Sequence, residues 1–250
     1  MADGNDARVL VITPTYNEAE NIESIVARLR AAVPSAHSLI MDDNSPDGTG
    51  EIADRMAAED DHIHVVHRPG KQGLAAAYLA GFTWGLERGY DVLVEMDADG
   101  SHQPELLPDV LAALEHADMV KGSRWIRGGA TDQSPVRELL SRAANIWVQA
   151  AMDLPVHDVT GGFNAFRAQI LRAIDFDAIA SKGYTFQVDM TRQVIEAGGT
   201  VAEVPIYFPD RTFGESKMSG SIIKEALGRT AVWGAQRRWN QFRRLFDKLS

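Results

Sequence analysis

Short apolar runs alternate along the first half of the chain with stretches whose apolar residues recur every three to four positions. That alternation predicts strand–helix–strand units built on a parallel sheet. Val9-Leu10-Val11-Ile12 reads as a first strand, Ser38-Leu39-Ile40-Met41 as a second, and Ile63 to His67 as a third. Val92 to Met96 follows as a fourth and Met119-Val120-Lys121-Gly122 as a fifth. Helices are predicted over Glu18 to Ala32, after Asp47-Gly48, and over the alanine-rich stretch Gln72 to Glu87. Asn17 and Glu20 are spaced as a capping box for the first of these. Beyond residue 122 the rhythm changes. Val136 to Met152 and Phe186 to Glu196 read as helices, Phe163 to Phe166 as a short extended piece, and Val201 to Pro205 as a late strand. The fold class is therefore α/β, a Rossmann-like open, mostly parallel sheet flanked by helices. A disordered tip (1–7), one α/β domain (8–218) and a C-terminal amphipathic helical segment (219–250) are expected.

In such sheets ligands collect at the carboxyl ends of the strands, near the switch in strand order. The polar clusters of this chain fall there. The first strand runs into Thr13-Pro14-Thr15-Tyr16-Asn17-Glu18, and the second into Asp42-Asp43-Asn44-Ser45-Pro46-Asp47-Gly48-Thr49. The fourth ends in Asp97-Ala98-Asp99-Gly100-Ser101 and the fifth in Gly122-Ser123-Arg124. Turns alone need Gly, Pro, Asn or Asp; they do not need Tyr16, a doubled Asp42-Asp43 and Arg124. Alternate carboxylates at a strand end are hard oxygen ligands. They suit Mg²⁺ or Mn²⁺, which complete their shells with water and substrate phosphates. The ligand expected there is a diphosphate.

Composition narrows the field. The 250 residues include no cysteine, which removes disulfides, thiolate metal sites and thiol nucleophiles. No Gly-x-Gly-x-x-Gly follows the first strand and no P-loop motif occurs, which disfavours a dehydrogenase or a P-loop ATPase. Without a glycine cradle, a diphosphate must be neutralised by metal and basic side chains. The net charge of −10 is unevenly spread: residues 1–120 carry 7 Lys/Arg against 22 Asp/Glu, and residues 121–250 carry 18 against 13. An acidic half can hold a cation and a basic half can receive anions. Met1 to Asp6 lacks the basic and apolar regions of a signal peptide. No apolar stretch approaches the ~20 residues that cross a bilayer, so a cytoplasmic protein is expected.

The ordered set Pro14-Thr15-Tyr16-Asn17-Glu18, Asp42 to Thr49, Lys71-Gln72-Gly73-Leu74, Asp97-Ala98-Asp99-Gly100-Ser101-His102, Gly122-Ser123-Arg124 and Arg211-Thr212-Phe213-Gly214-Glu215-Ser216-Lys217 resembles the inverting GT-A glycosyltransferases. Within them it is similar to the dolichol-phosphate mannosyltransferase (polyprenol monophosphomannose synthase) family. The resemblance runs from about Val9 to Trp233. Lys121-Gly122-Ser123-Arg124-Trp125 and Ser216-Lys217-Met218-Ser219-Gly220-Ser221 resemble actinobacterial members most closely.

The resemblance implies an enzyme that moves mannose from GDP-mannose to a polyprenyl phosphate with inversion. Two alternatives stay open: a UDP-glucose-dependent transferase, and an inactive nucleotide-sugar-binding subunit. By resemblance, Pro14, Tyr16, Glu18, Ile40 and Asp42 hold the nucleoside. Asp97, Ala98, Asp99 and Ser101 match the metal and diphosphate site, with Ser101 where some members carry glutamine. Arg211 and Lys217 match a loop that closes on the diphosphate and offsets leaving-group charge. Arg124, Arg137 and Ser141 match the acceptor-phosphate site, with Arg137 and Ser141 four apart on one helix face. Arg142 reads as surface. Asp99, Arg124, Arg211 and Lys217 are the residues expected to carry catalysis. No general base is required, because a phosphate monoester, with a second pKa of ~6, is already ionised. His102 reads either as a ligand or base or as a brace on the turn. Asp158 reads either as a contact to a sugar hydroxyl or as a turn former.

Trp239, Phe242, Phe246 and Leu249 recur along one stripe, with Arg237, Arg244 and Lys248 opposite and Arg238 and Arg243 on the flanks. A basic amphipathic helix of this kind lies in a headgroup layer or docks on the core. The expected partners are GDP-mannose, polyprenyl phosphate and a membrane surface, with or without a membrane protein, and no nucleic acid. The expected location is the inner face of the cell membrane, peripherally bound.

Overall fold

The computed structural model describes residues 7–179, 183–209, 228, 230–234 and 239, apart from the side chain of Tyr184. In chain order its elements are β1 (Val9–Thr15), α1 (Ile22–Ala32), β2 (His37–Asp42), α2 (Thr49–Glu59), β3 (Ile63–His67), α3 (Leu74–Glu87) and β4 (Val92–Glu95). Then come α4 (Leu107–Ala113), β5 (Met119–Ser123), β6 (Ala130–Thr131), α5 (Pro135–Met152), β7 (Asn164–Arg167), α6 (Ala168–Arg172), α7 (Tyr184–Glu196), β8 (Val201–Pro205) and β9 (Tyr207–Phe208).

Seven strands form one sheet in the order β3-β2-β1-β4-β7-β5-β8. Neighbours are parallel except at β7, which runs antiparallel to both β4 and β5. The order reverses between β1 and β4, so the switch point lies where the Pro14–Glu18 and Asp97–Ser101 segments emerge. β1, β2 and β4 are near-continuous apolar runs because helices cover both faces. Val11, Ile40, Val94 and Val120 pack on one side with Ile25, Val26 and Leu107. Leu10, Ile12, Leu39 and Leu93 pack on the other with Tyr78, Phe82, Phe186 and Met190. The alanines and glycines of α3 let it lie close to the sheet. A Cβ at Gly81 would stand 2.6 Å from Ile12, and one at Gly85 2.6 Å from Leu93.

Two helix starts differ from the sequence pattern, each for its own physical reason. α1 begins at Ile22, not at Glu18, and the Asn17/Glu20 capping box does not form. Asn17 is left-handed (φ 62°), and the amides of Glu18 and Ala19 donate to Thr49 Oγ1 (3.0 Å) and Asp47 Oδ2 (3.1 Å). The β1 exit is thus tied to the β2 exit before a helix can start. α3 begins two residues later than predicted because Gly73 has φ 96°, which no helix accommodates. The strands β6 and β9, which form a separate two-stranded parallel sheet, and the helix α6 carry no sequence signal that singled them out.

Of the C-terminal segment, Thr230 and Trp233 pack against the domain. Trp147 of α5 donates to Thr230 Oγ1 (3.3 Å), and Trp233 joins a small core with Val148, Met152 and Val188. Phe242, Phe246, Leu249 and the basic residues of that stripe lie outside the described residues. No helix among the described residues is long and apolar enough to cross a membrane.

Candidate active site

The exits of β1 and β2 form an interlocked wall. Asp42 is 2% exposed; its carboxylate accepts from Thr15 Oγ1 (3.2 Å) and from the amide of Ser45 (3.2 Å) as well as the Ser45 hydroxyl. Asp43 forms a buried ion pair with Arg68, and burial still raises its pKa despite that guanidinium. Tyr16 lies under the ammonium of Lys71, 3.9 Å from ring centroid to Nζ, and Glu18 accepts from Asn21 (2.8 Å). Pro14, Tyr16 and Glu18 are partly exposed on this wall. Ile40 is not: its side chain is fully buried beside Val11 and Ile25 and backs the wall from behind.

At the end of β4, each acid is held by its own partner. Tyr78, reaching across from α3, donates to Asp97 Oδ1 at 2.7 Å. Burial, followed by the nearby carboxylates, pushes the Tyr78 phenol well above its usual pKa, so it remains a donor. Asp99 Oδ1 accepts from the amide of Ser101 at 3.0 Å and from its hydroxyl. Ser101 is buried, and its hydroxyl proton is engaged with Asp99, which holds that carboxylate in place. Ala98 is buried between the two acids. His102 braces the turn: its Nδ1 accepts from the amide of Asp97 (2.9 Å), and its ring stacks on Phe163.

Among the described residues no cluster of three or more His, Asp or Glu side chains could enclose a metal. Two carboxylates held in fixed orientations fit a hard divalent ion that brings water and phosphate oxygens for the rest of its shell. The donor set therefore suits Mg²⁺ or Mn²⁺ bound together with a diphosphate.

Across the rim, Arg124 follows β5 and is 8% exposed. Its Nε and Nη2 donate to Asp158 at 2.7 and 2.8 Å, and its amide donates to the same carboxylate at 3.0 Å. Asp158 is thus the buried partner of Arg124. Glu203 of β8 secures the loop behind it by accepting from the amides of His157 (2.8 Å) and Asp158 (2.9 Å). Arg124 Nη2 also donates to Thr160, and Thr160 is bound by Asn145, whose amide bonds the Ser141 carbonyl one turn back on α5. Arg124 and the Arg137/Ser141 face of α5 are thereby joined through Thr160 and Asn145. Arg137 is exposed and Ser141 partly so. Arg142, read from sequence as plain surface, stacks on Trp125 with its guanidinium carbon 4.3 Å from the ring centroid.

Phe208 connects the two corners. His102 meets its ring edge-on at 6.0 Å between centroids, and the Arg124 guanidinium lies 5.2 Å from it. Behind the rim, Glu95, Lys121 and Asn164 sit side by side on β4, β5 and β7, all fully buried. Burial pushes the Glu95 carboxyl up and the Lys121 ammonium down. Sequence reasoning missed Tyr78 and this trio. Tyr78 hides in an apolar helix, whereas a lysine flanked by Val120 and Gly122 in a buried strand is a signal that could have been read. Arg211 and Lys217 lie outside the described residues.

Residues 10–175 match the family described as glycosyl transferase family 2. An undecaprenyl-phosphate mannosyltransferase from Micrococcus luteus is 54% identical over 237 residues, covering 94% of this chain and 98% of the relative. A polyprenol monophosphomannose synthase from Mycolicibacterium smegmatis is 52% identical over 239 residues, covering 94% and 90%. Among solved structures, glucosyl-3-phosphoglycerate synthase from Mycobacterium tuberculosis with Mn²⁺, UDP-glucose and phosphoglyceric acid superposes with a TM-score of 0.64 at 18% identity, covering 92% of this chain and 80% of that one. A mannosyltransferase from Pyrobaculum calidifontis in complex with GDP-Man and Mn²⁺ superposes with a TM-score of 0.57 at 17% identity, covering 91% and 70%. At these identities the structural likeness establishes the GT-A fold.

Proposed function

The chain belongs to glycosyl transferase family 2, and from that membership and the geometry of the rim we propose that it moves mannose from GDP-mannose to a polyprenyl phosphate with inversion. The products are a β-mannosyl phosphoryl polyprenol and GDP. The observation that carries this reading is an acidic corner (Asp97, Asp99) braced by His102 and an oriented guanidinium (Arg124), with Phe208 in contact with both His102 and Arg124. The two curated relatives, both named for mannosyl transfer to a polyprenyl phosphate, support the choice of sugar and acceptor.

The nucleoside lies along Pro14, Tyr16, Glu18 and Asp42, with Ile40 behind them. Asp97 and Asp99, oriented by Tyr78 and Ser101, would hold Mg²⁺ or Mn²⁺. When bound, such an ion would supply neutralisation of diphosphate charge and so ease departure of GDP. Arg124 receives the acceptor phosphate with Arg137 and Ser141, its fork fixed by Asp158. The acceptor oxygen is already anionic and attacks the anomeric carbon from the face opposite GDP. The new C1–O bond forms as the C1–O bond to GDP breaks, and no proton passes to the enzyme. Arg211 and Lys217 enter from the sequence alone, as cations that offset charge on the departing GDP.

An acceptor of this kind resides in membrane, and α5 carries a surface suited to it. Val136, Leu139, Leu140, Ile146 and Trp147 recur along one helical stripe and are each 47–69% exposed. Apolar exposure concentrated in this way marks a contact surface, and Arg137 and Arg142 on the same helix supply charge for anionic headgroups. We place peripheral attachment to the inner face of the cell membrane on α5, with the C-terminal stripe as an adjunct.

The test is transfer by purified protein with Mg²⁺ or Mn²⁺, polyprenyl phosphate and each labelled nucleotide sugar. Label entering lipid from GDP-mannose supports the reading. Label only from UDP-glucose overturns the donor, and none from either leaves a nucleotide-sugar-binding subunit.

A further inference from the structure

We propose that Lys121 and Asn164 are positioning residues for the transfer, holding the 158–162 loop, and with it Arg124, in register with the strand that bears the Asp97/Asp99 turn. The inference rests on the reading of the rim as a mannosyl-transfer site.

Asn164 lies opposite Glu95 in the β4–β7 pairing and opposite Lys121 in the β5–β7 pairing. The antiparallel strand thus inserts one amide between the strand of the acidic corner and the strand of the basic corner. Lys121 Nζ donates to Asn164 Oδ1 at 2.7 Å and to the Gly161 carbonyl at 3.2 Å. Asn164 Nδ2 donates to Glu95 Oε2 at 2.7 Å, to Gln187 Oε1 at 2.7 Å and to the same Gly161 carbonyl at 3.1 Å. One backbone carbonyl is therefore gripped from two strands at once. Gly161 lies three residues after Asp158, the partner of Arg124, and a Cβ there would stand 2.9 Å from the Gly122 carbonyl. The loop is pressed flat on β5 and clamped by the lysine that precedes Gly122.

The cluster is costly as a source of stability. Lys121, Glu95 and Asn164 are all fully buried, and the two charges meet only through an amide. Among the described residues, Glu95 Oε1 and Gln187 Nε2 are buried without a hydrogen-bond partner. Apolar residues of similar volume would satisfy the core as well or better. What an apolar trio cannot do is hold the Gly161 carbonyl, and a displacement of about 1 Å in a positioning group can cost on the order of a hundredfold in rate.

The test compares wild type with Lys121→Met and with the charge-neutral double variant Glu95→Gln/Lys121→Met, which keeps the test alive if the single variant does not fold. Measured are the GDP-mannose dissociation constant, kcat and KM for polyprenyl phosphate, and the melting temperature. Both variants are expected to bind GDP-mannose within twofold of wild type while kcat for transfer falls at least tenfold. Wild-type turnover in a folded variant, whatever its melting temperature, overturns the inference. So does a loss of GDP-mannose affinity as large as the loss of turnover, since the damage would then lie at the nucleotide side. Failure of the wild-type protein to bind GDP-mannose or transfer from it overturns the functional reading instead.

Discussion

Arg124 and Asp158 form a bidentate ion pair at 2.7 and 2.8 Å with 8% and 0% of their side chains exposed, so the guanidinium at the basic corner is fixed before any ligand arrives. Removing one member of a buried pair leaves an uncompensated charge, at about 3–5 kcal/mol. Asp158→Ala is expected to lower unfolding stability by that amount in urea titration and to raise KM for the acceptor. Donor affinity should stay near wild type; an equal loss of GDP-mannose binding would contradict the assignment of Arg124 to the acceptor side.

Tyr78 and Ser101 are expected to act on metal affinity through the carboxylates they hold. Partners that orient metal ligands typically contribute 10–100-fold. Tyr78→Phe and Ser101→Ala should therefore weaken the apparent Mn²⁺ constant for transfer within that range, measured by metal titration. Asp99→Ala should abolish transfer while the circular dichroism spectrum is retained. EDTA should do the same reversibly, with activity restored by Mn²⁺ or Mg²⁺.

The α5 stripe offers a test on lipid. Leu139→Asp/Ile146→Asp places charge where apolar surface meets bilayer, and flotation with vesicles containing anionic phospholipid should fall at least tenfold. Transfer to a short-chain, water-soluble polyprenyl phosphate should persist, because neither residue touches the reacting groups. Undiminished flotation would remove α5 from the membrane contact.

A histidine cluster at the amino ends of β2 and β3 sets an acid limit on stability. His37 bonds His64 ring to ring at 2.9 Å and packs against His62, and burial, with the neighbouring cationic groups, lowers its pKa to about 4. The unfolded chain takes up this proton near the ordinary histidine value of ~6.5 and the folded chain only near 4. The contribution is therefore complete above pH ~6.5 and lost as pH falls toward 4, on the order of 2 kcal/mol after allowing for solvent screening. His37→Asn should flatten the dependence of unfolding free energy on pH in that window.

The rim was largely legible in the sequence because its parts are local. Pro14 to Glu18, Asp42 to Thr49, and Asp97 to Ser101 each follow an apolar run, and a strand end followed by acids needs no long-range information to be recognised. Ile40 entered the nucleoside set by resemblance alone, and only the packing of α1 shows that its side chain lies behind the wall. The capping box at Asn17 failed for a related reason: the Asn17 amide that Glu20 would have accepted from donates to Ser45, and the next two amides donate to Thr49 and Asp47, roughly thirty positions away.

By itself the chain determined the order of the main strands and helices, though not β6, β9 or α6, together with the acidic turn after β4 and the uneven distribution of charge, since these depend on side-chain type and near-neighbour spacing. Tertiary structure alone decided that β7 runs against its neighbours and sets Asn164 between Glu95 and Lys121. It also decided that Tyr78 holds Asp97, that Asp158 holds Arg124, and that the apolar stripe of α5 faces outward. Those choices come from strand register and helix packing, which bring together residues dozens of positions apart and leave no periodic trace along the chain.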